Sequence, residues 1–238
     1  MRKTIERAER KAIIKLLSLG SGKECPICGW CGYCFLPAGM PPKRRFDAQC
    51  PSCGSFERHR LSFLAAKQVL PLGSLHTLHV APESSIGPWL QSESSTYISI
   101  DLHRRAMKKM DLRQLEFDNG IFSLIWCSHV LEHIVEDNIA IREIFRVCRP
   151  GGIALIQVPI WRQQTYENPT VESDEARLDH YYQKDHIRLY GLDIVDRFEE
   201  AGFSSKILRA QDFGPKIVFK HSLSFISTNE VFIFTKGQ

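Results

Sequence analysis

Residues 121–158 read IFSLIWCSHVLEHIVEDNIAIREIFRVCRPGGIALIQV, and this stretch decides the fold. The runs 121–127 and 153–158 are almost wholly apolar, as expected of strands covered on both faces. Between them, Ile141, Ile144, Phe145 and Cys148 fall on one stripe of a helix predicted over 137–148. Arg149-Pro-Gly-Gly152 then breaks that helix. A buried strand, a helix and a second buried strand make a crossover unit, which sets the two strands parallel in one sheet.

The same alternation extends both ways. Upstream, the pattern predicts a strand over 75–80, a helix over about 85–92 and a strand over 97–101; a third strand ends near Met110. Downstream, a helix over 191–201 is followed by a closing pair of strands, 203–209 and 230–235. The implied fold class is α/β, a doubly wound Rossmann-like sheet. Ligands in such sheets lie beyond the carboxyl ends of the strands, where the strand order reverses. The residues so placed are Ala81, Pro82 and Glu83; Asp101 and Leu102; Asp111 and Leu112; Cys127, Ser128 and His129; and Pro159, Ile160 and Trp161. Cys127 also reads as a small buried hydrophobe. Asp101 could accept both hydroxyls of a ribose, and Asp111 the exocyclic amine of an adenine.

The amino-terminal part differs in kind. Of the eight cysteines, six lie between positions 25 and 53. Two copies of Cys-Pro-x-Cys-Gly, at Cys25/Cys28 and Cys50/Cys53, give the pattern C-x2-C-x21-C-x2-C of a zinc ribbon. Cys31 and Cys34 have ligand spacing but lack the Pro and the trailing Gly, so a second partial site stays open. Ile5, Ala8, Ala12, Leu16 and Leu19 predict an amphipathic helix over 1–22 with a basic face. Residues 1–62 hold 12 Lys and Arg against 5 Asp and Glu, a net +7, although the whole chain of 238 residues is only +4. That face is either solvated or set against an anion. The expected organisation is helix 1–22, ribbon and linker helix 23–70, and the α/β domain 74–238 with a polar, aromatic lid over about 161–190. No run approaches the roughly 20 apolar residues of a membrane helix, and Glu6 and Glu9 spoil a secretory signal. A cytoplasmic protein with no membrane partner is expected.

Asp111-Leu112, residues 115–133, Arg146–Gly152, His186–Gly191 and Ala201-Gly-Phe203 resemble class I S-adenosylmethionine-dependent methyltransferases. The Cys-Pro-x-Cys-Gly ribbon, the run Cys53-Gly-Ser-Phe-Glu-Arg-His-Arg60, and His79-Val-Ala-Pro-Glu83 are similar to one bacterial branch of methyltransferase-like proteins. The resemblance spans about residues 24–236 and implies S-adenosyl-L-methionine as cofactor beside Zn2+. One departure stands out. The usual glycine-rich turn is here Ala81-Pro-Glu-Ser-Ser85, with no glycine and one N–H removed by Pro82. Glu83 is the candidate to hold the cofactor's ammonium group instead.

Methyl transfer requires an aligned nucleophile and, for a hydroxyl, a base. His129 is placed for that role, with His186 and Tyr166 in the covering segments; His133 reads as structural. Trp161, Tyr166, Tyr181 and Tyr182 either line an aromatic pocket or pack the lid. Three functions compete. The leading one is methylation of a hydroxyl or amine on a small-molecule or carrier-bound acceptor. The second is RNA methylation, favoured by the basic front and Arg58-His-Arg60. The third is a non-catalytic scaffold. A homo-oligomer is compatible with each.

Overall fold

Two short hairpins carry the cysteines. The computed structural model describes residues 14, 16–39, 44–70, 75–103, 106–223 and 229–238. Strand β1 (Lys23–Glu24) pairs antiparallel with β2 (Cys31–Gly32), and β3 (Leu36–Ala38) with β4 (Arg45–Gln49). The first Cys-Pro-x-Cys-Gly turn joins β1 to β2, and the second follows β4. Helix α1 (Glu57–Val69) then leads into the sheet. Most of the basic helix predicted over 1–22, with Arg2, Lys3, Arg7, Arg10, Lys11 and Lys15, lies outside the described residues, as does the joint at Pro71–Gly73.

The alternating pattern folds as read. Strand β5 (Leu75–Val80), helix α2 (Gly87–Glu93), β6 (Ser94–Asp101), β7 (Lys108–Lys109), β8 (Phe122–Ser128), helix α3 (Asp137–Val147) and β9 (Cys148–Gln157) follow in order. The covering segment holds β10 (Ile160–Arg162), α4 (Asp174–Tyr181) and β11 (Tyr190–Gly191). Helix α5 (Ile194–Glu200), β12 (Phe203–Arg209), α6 (Pro215–His221) and β13 (Glu230–Lys236) complete the domain. The seven-stranded sheet has the order β12-β13-β9-β8-β5-β6-β7. Only β13 runs antiparallel to its neighbours. The order reverses between β5 and β8, so the ligand crevice belongs at their carboxyl ends.

The apolar run in β8 serves both faces. Ile125 and Cys127 enter the core under α3 and α5, while Leu124 and Trp126 enter the core under α1 and α2. Each side chain of the strand is therefore buried, and no polar alternation survives. One boundary differs from the reading. Helix α3 stops at Val147, and Cys148-Arg-Pro-Gly-Gly152 opens β9 with an irregular register against β8. Gly151, at φ +69°, takes up the kink a side-chain-bearing residue would resist. No helix among the described residues is long and apolar enough to cross a membrane.

Candidate functional site

A cavity of about 390 Å³ lies at the strand-order reversal. Ala81 just after β5, Ser128 at the end of β8, His129 after it and Pro159 just beyond β9 line it. Ala81 and His129 both have left-handed backbones, φ +49° and +55°. Such strain in non-glycine residues persists only where neighbours fix it. Here Ala81 N–H donates to Ile100 O and His129 N–H to Gln157 O, each at 2.8 Å. Two adjacent strands thus turn sharply at the same edge and open the crevice.

Buried acids and histidines crowd this edge. His79 Nε2 lies 2.6 Å from Glu83 Oε2, and His79 Nδ1 lies 2.9 Å from the Tyr97 hydroxyl. Burial pushes the Glu83 carboxyl up, but the His79 hydrogen bond and charge outweigh it, and the net shift is downward. Its other oxygen, Oε1, is buried with no partner among the described residues. Glu132 sits in a 3-10 turn, Leu131–His133, and is 1% exposed. Its Oε1 lies 3.2 Å from His129 Nδ1, and its Oε2 has no partner among the described residues. Burial raises the Glu132 carboxyl; His129 and His133 bring it below its ordinary value. His186, 4% exposed, meets the His133 ring edge-on at 4.8 Å between centroids. Burial lowers its pKa.

Residues 87–156 match the family described as "Methyltransferase domain". The match covers less than a third of the chain. A demethylmenaquinone methyltransferase of Mycolicibacterium gilvum is 31% identical over 98 residues, which are 40% of this chain and 43% of that enzyme. The match therefore spans less than half of that relative. Among solved structures, a 1,6-didemethyltoxoflavin-N1-methyltransferase of Burkholderia thailandensis, with S-adenosylhomocysteine bound, shares the fold (TM-score 0.53, 12% identity, 76% of this chain and 79% of that one). So does an S-adenosylmethionine-dependent methyltransferase of Mesorhizobium loti (TM-score 0.51, 12% identity, 74% and 98%).

This end of the sheet has groups that would suit S-adenosylmethionine. The unpaired Oε1 of Glu83 is a buried anionic acceptor beside the turn after β5, where an ammonium would compensate it. Asp101 ends β6, nearly buried, with Oδ1 accepting from His103 N at 2.6 Å. Leu102 beside it is exposed. Asp111 follows β7 but is gripped by Arg113 at 2.7 Å, which lowers its pKa. None of Pro82, Asp101, Leu102, Asp111, Leu112, Cys127 and Tyr166 lines the cavity. Leu112 and Cys127 are packed into the core, and burial drives the Cys127 thiol far up. Tyr166 bonds His180 Nδ1 at 2.7 Å, Trp161 rests on Tyr182, and Tyr181 is buried against Val171 and Leu189. These aromatics pack the lid upon itself. The reading missed Glu132, and it missed the cavity lining by Arg45, Glu57 and Arg58 from the amino-terminal module and by Gln183 and Asp185 from the lid.

The run Cys53–Arg60 explains how that module reaches the cavity. His59 Nδ1 accepts from Phe56 N and touches Ser85 Oγ, both at 3.1 Å, which ties α1 to the turn after Glu83. Arg60 is wholly buried. It donates to Ala48 O, Ser55 O, His221 O and Ser222 O, clamping the hairpins to α6. It is therefore unavailable to an RNA phosphate, contrary to the expectation. The sulfurs of Cys25, Cys28, Cys50 and Cys53 all lie within 4.8 Å of one another. Cys25 and Cys53 are 3.6 Å apart, and Cys28 and Cys50 3.7 Å. Four sulfurs at about 2.3 Å from one Zn2+ would have tetrahedral edges of about 3.8 Å. Gly29 and Gly54 take φ +72° and +75°, and their N–H groups bond back to Cys25 O and Cys50 O. The two turns are thus built alike, and the trailing glycine is what the geometry demands. Cys31 and Cys34 stand outside the cluster.

Proposed function

We propose that this chain methylates a hydroxyl or amine of a small-molecule or carrier-bound acceptor, using S-adenosyl-L-methionine. The observation that carries this reading is the cavity at the strand-order reversal, with an unpaired buried Glu83 oxygen at its edge. When bound there, the cofactor supplies an electrophilic methyl group. Glu83 would hold its ammonium end and Asp101 its ribose, while Ser128 would line its flank. Arg45 of β4, Glu57 and Arg58 of α1, and Asp185 and His186 of the covering segment also line the cavity. A cleft of this size would admit a small group or the end of a flexible arm more readily than a folded RNA.

His129 is the group to take the acceptor's proton. Its Nε2 is buried with no partner among the described residues, and the Glu132 carboxylate 3.2 Å from Nδ1 would stabilise the imidazolium formed. In the same reading Cys25, Cys28, Cys50 and Cys53 hold a zinc ion that stiffens the amino-terminal module. Two measurements test the proposal. Calorimetry should detect both S-adenosylmethionine and S-adenosylhomocysteine, and no heat at millimolar cofactor would favour the scaffold. Salt-dependent RNA binding that requires residues 1–62 would favour the RNA reading instead.

A further inference from the structure

Glu132 is a buried carboxylate whose Oε2 has no partner, and His186, from a separate segment, is buried with an unpaired Nδ1 among the described residues. One donor atom from each of Glu132, His133 and His186 lies within 4.8 Å of the others. We propose that these three side chains bind a divalent transition-metal ion in the wall of the acceptor cavity, separate from the four-cysteine cluster. The site stands on these atoms alone. Its role in catalysis rests on the methyltransferase reading above.

Three observations support it. A buried carboxylate oxygen without a hydrogen bond is costly, and a cation is the strongest available compensation. His133 Nδ1 lies 2.9 Å from Asp185 O. Donation there fixes the tautomer and leaves Nε2 as a lone-pair ligand, the arrangement that orients metal-binding imidazoles. The two segments are also locked together, because Ile187 N–H donates to Glu132 O at 3.1 Å and Arg188 donates to Leu131 O. The ligands are therefore held in place, and metal bonds of about 2.1 Å would need each donor to move inward by about an ångström at most.

Two imidazoles and one carboxylate suit zinc, cobalt, manganese or iron better than magnesium or calcium. Three protein ligands leave positions open toward the cavity. An acceptor with an oxygen donor could occupy them, and the ion would lower that hydroxyl's pKa. The proton would pass to His129 Nε2. The acceptor class is thus an oxygen nucleophile, ahead of an amine.

Cobalt(II) titration of the full chain tests the site, because its two surroundings give different spectra. Cobalt on four thiolates shows intense charge-transfer absorption; cobalt on two imidazoles and a carboxylate does not. The wild type should take up one further equivalent without that absorption. Glu132→Gln and His186→Asn should each lose it at least tenfold in affinity, with circular dichroism and S-adenosylhomocysteine binding retained. If either variant unfolds, His133→Asn provides the same comparison. Failure of the second equivalent to bind at millimolar cobalt, or equal uptake by the variants, overturns the site. If cobalt binds but S-adenosylhomocysteine does not, the methyltransferase reading fails and the metal site stands. Methyl transfer unaffected by emptying the second site would remove the ion from catalysis.

Discussion

Glu83 divides its carboxylate between two tasks: Oε2 is held 2.6 Å from His79 Nε2, and Oε1 is buried without a partner among the described residues. His79 is itself wholly buried and braced by Tyr97. The chain Tyr97–His79–Glu83 therefore fixes an anionic acceptor at the turn that lacks glycine. A charge-assisted hydrogen bond to such an oxygen is worth about 1.5–3 kcal/mol. Glu83→Gln should weaken S-adenosylhomocysteine binding by about 10–100-fold in calorimetry. Unchanged affinity would remove Glu83 from the cofactor site.

The four-cysteine cluster makes a second expectation. The hairpins bury only a small core, around Cys25, Phe35 and Cys50, so the ion would contribute much of their order. Metal analysis should find zinc in the purified chain, and Cys28→Ser or Cys50→Ser should lose it. Thermal unfolding should then begin several degrees lower. Because Arg45, Glu57 and Arg58 line the cavity, acceptor KM should rise more than kcat falls. Equal melting of wild type and variants would count against a structural metal.

Much of this was legible in the sequence. The apolar runs at 121–127 and 153–158 set the crossover, and the repeated Cys-Pro-x-Cys-Gly marked the two cysteine pairs that the fold brings together, because both signals are local and periodic. Glu132 was not legible. It is one acid in a short turn between a strand and a helix, and only the return of His186 from 54 residues later gives it meaning. Arg60 misled for the same reason. A basic residue in a basic segment reads as surface until the carbonyls of Ala48, Ser55, His221 and Ser222 are seen around it. Tyr166 and its aromatic neighbours could not be assigned from composition, since packing within a lid and lining a pocket demand the same residues.

His59 predicts an acid-dependent loss of stability. Its Nδ1 accepts from Phe56 N, so protonation would set two donors against each other. Burial, then the Arg58 charge, lowers its pKa from 6.5 to about 3. Between these values the unfolded chain binds a proton that the folded chain refuses. The contribution is fully present above about pH 6.5 and is lost as the pH falls toward 3. Urea unfolding of His59→Gln should have a pH slope flatter than wild type by up to about 1.4 kcal/mol per pH unit in that window. Parallel slopes would refute the assignment.

Asp137 ties the segment 160–191, proposed above as a lid, to the domain. It opens α3, accepts from the Tyr190 hydroxyl, and lies 3.4 Å from Arg188 and 2.8 Å from Arg197. Arg188 is itself buried and also donates to Ile134 O, Val135 O and Glu167. The two arginines share two carboxylates, Asp137 and Glu167, so the network is near neutral only while both are ionised. Asp137→Asn leaves a buried guanidinium with half its compensation, which costs about 3–5 kcal/mol. Urea unfolding should show a lower midpoint with an unchanged m value. Because Arg188 follows His186 by two residues, the same variant should free the lid locally. Amide exchange should accelerate over 160–191 more than in β8 or β9. Uniform acceleration across the chain would mean that Asp137 supports the whole domain and has no particular hold on the lid.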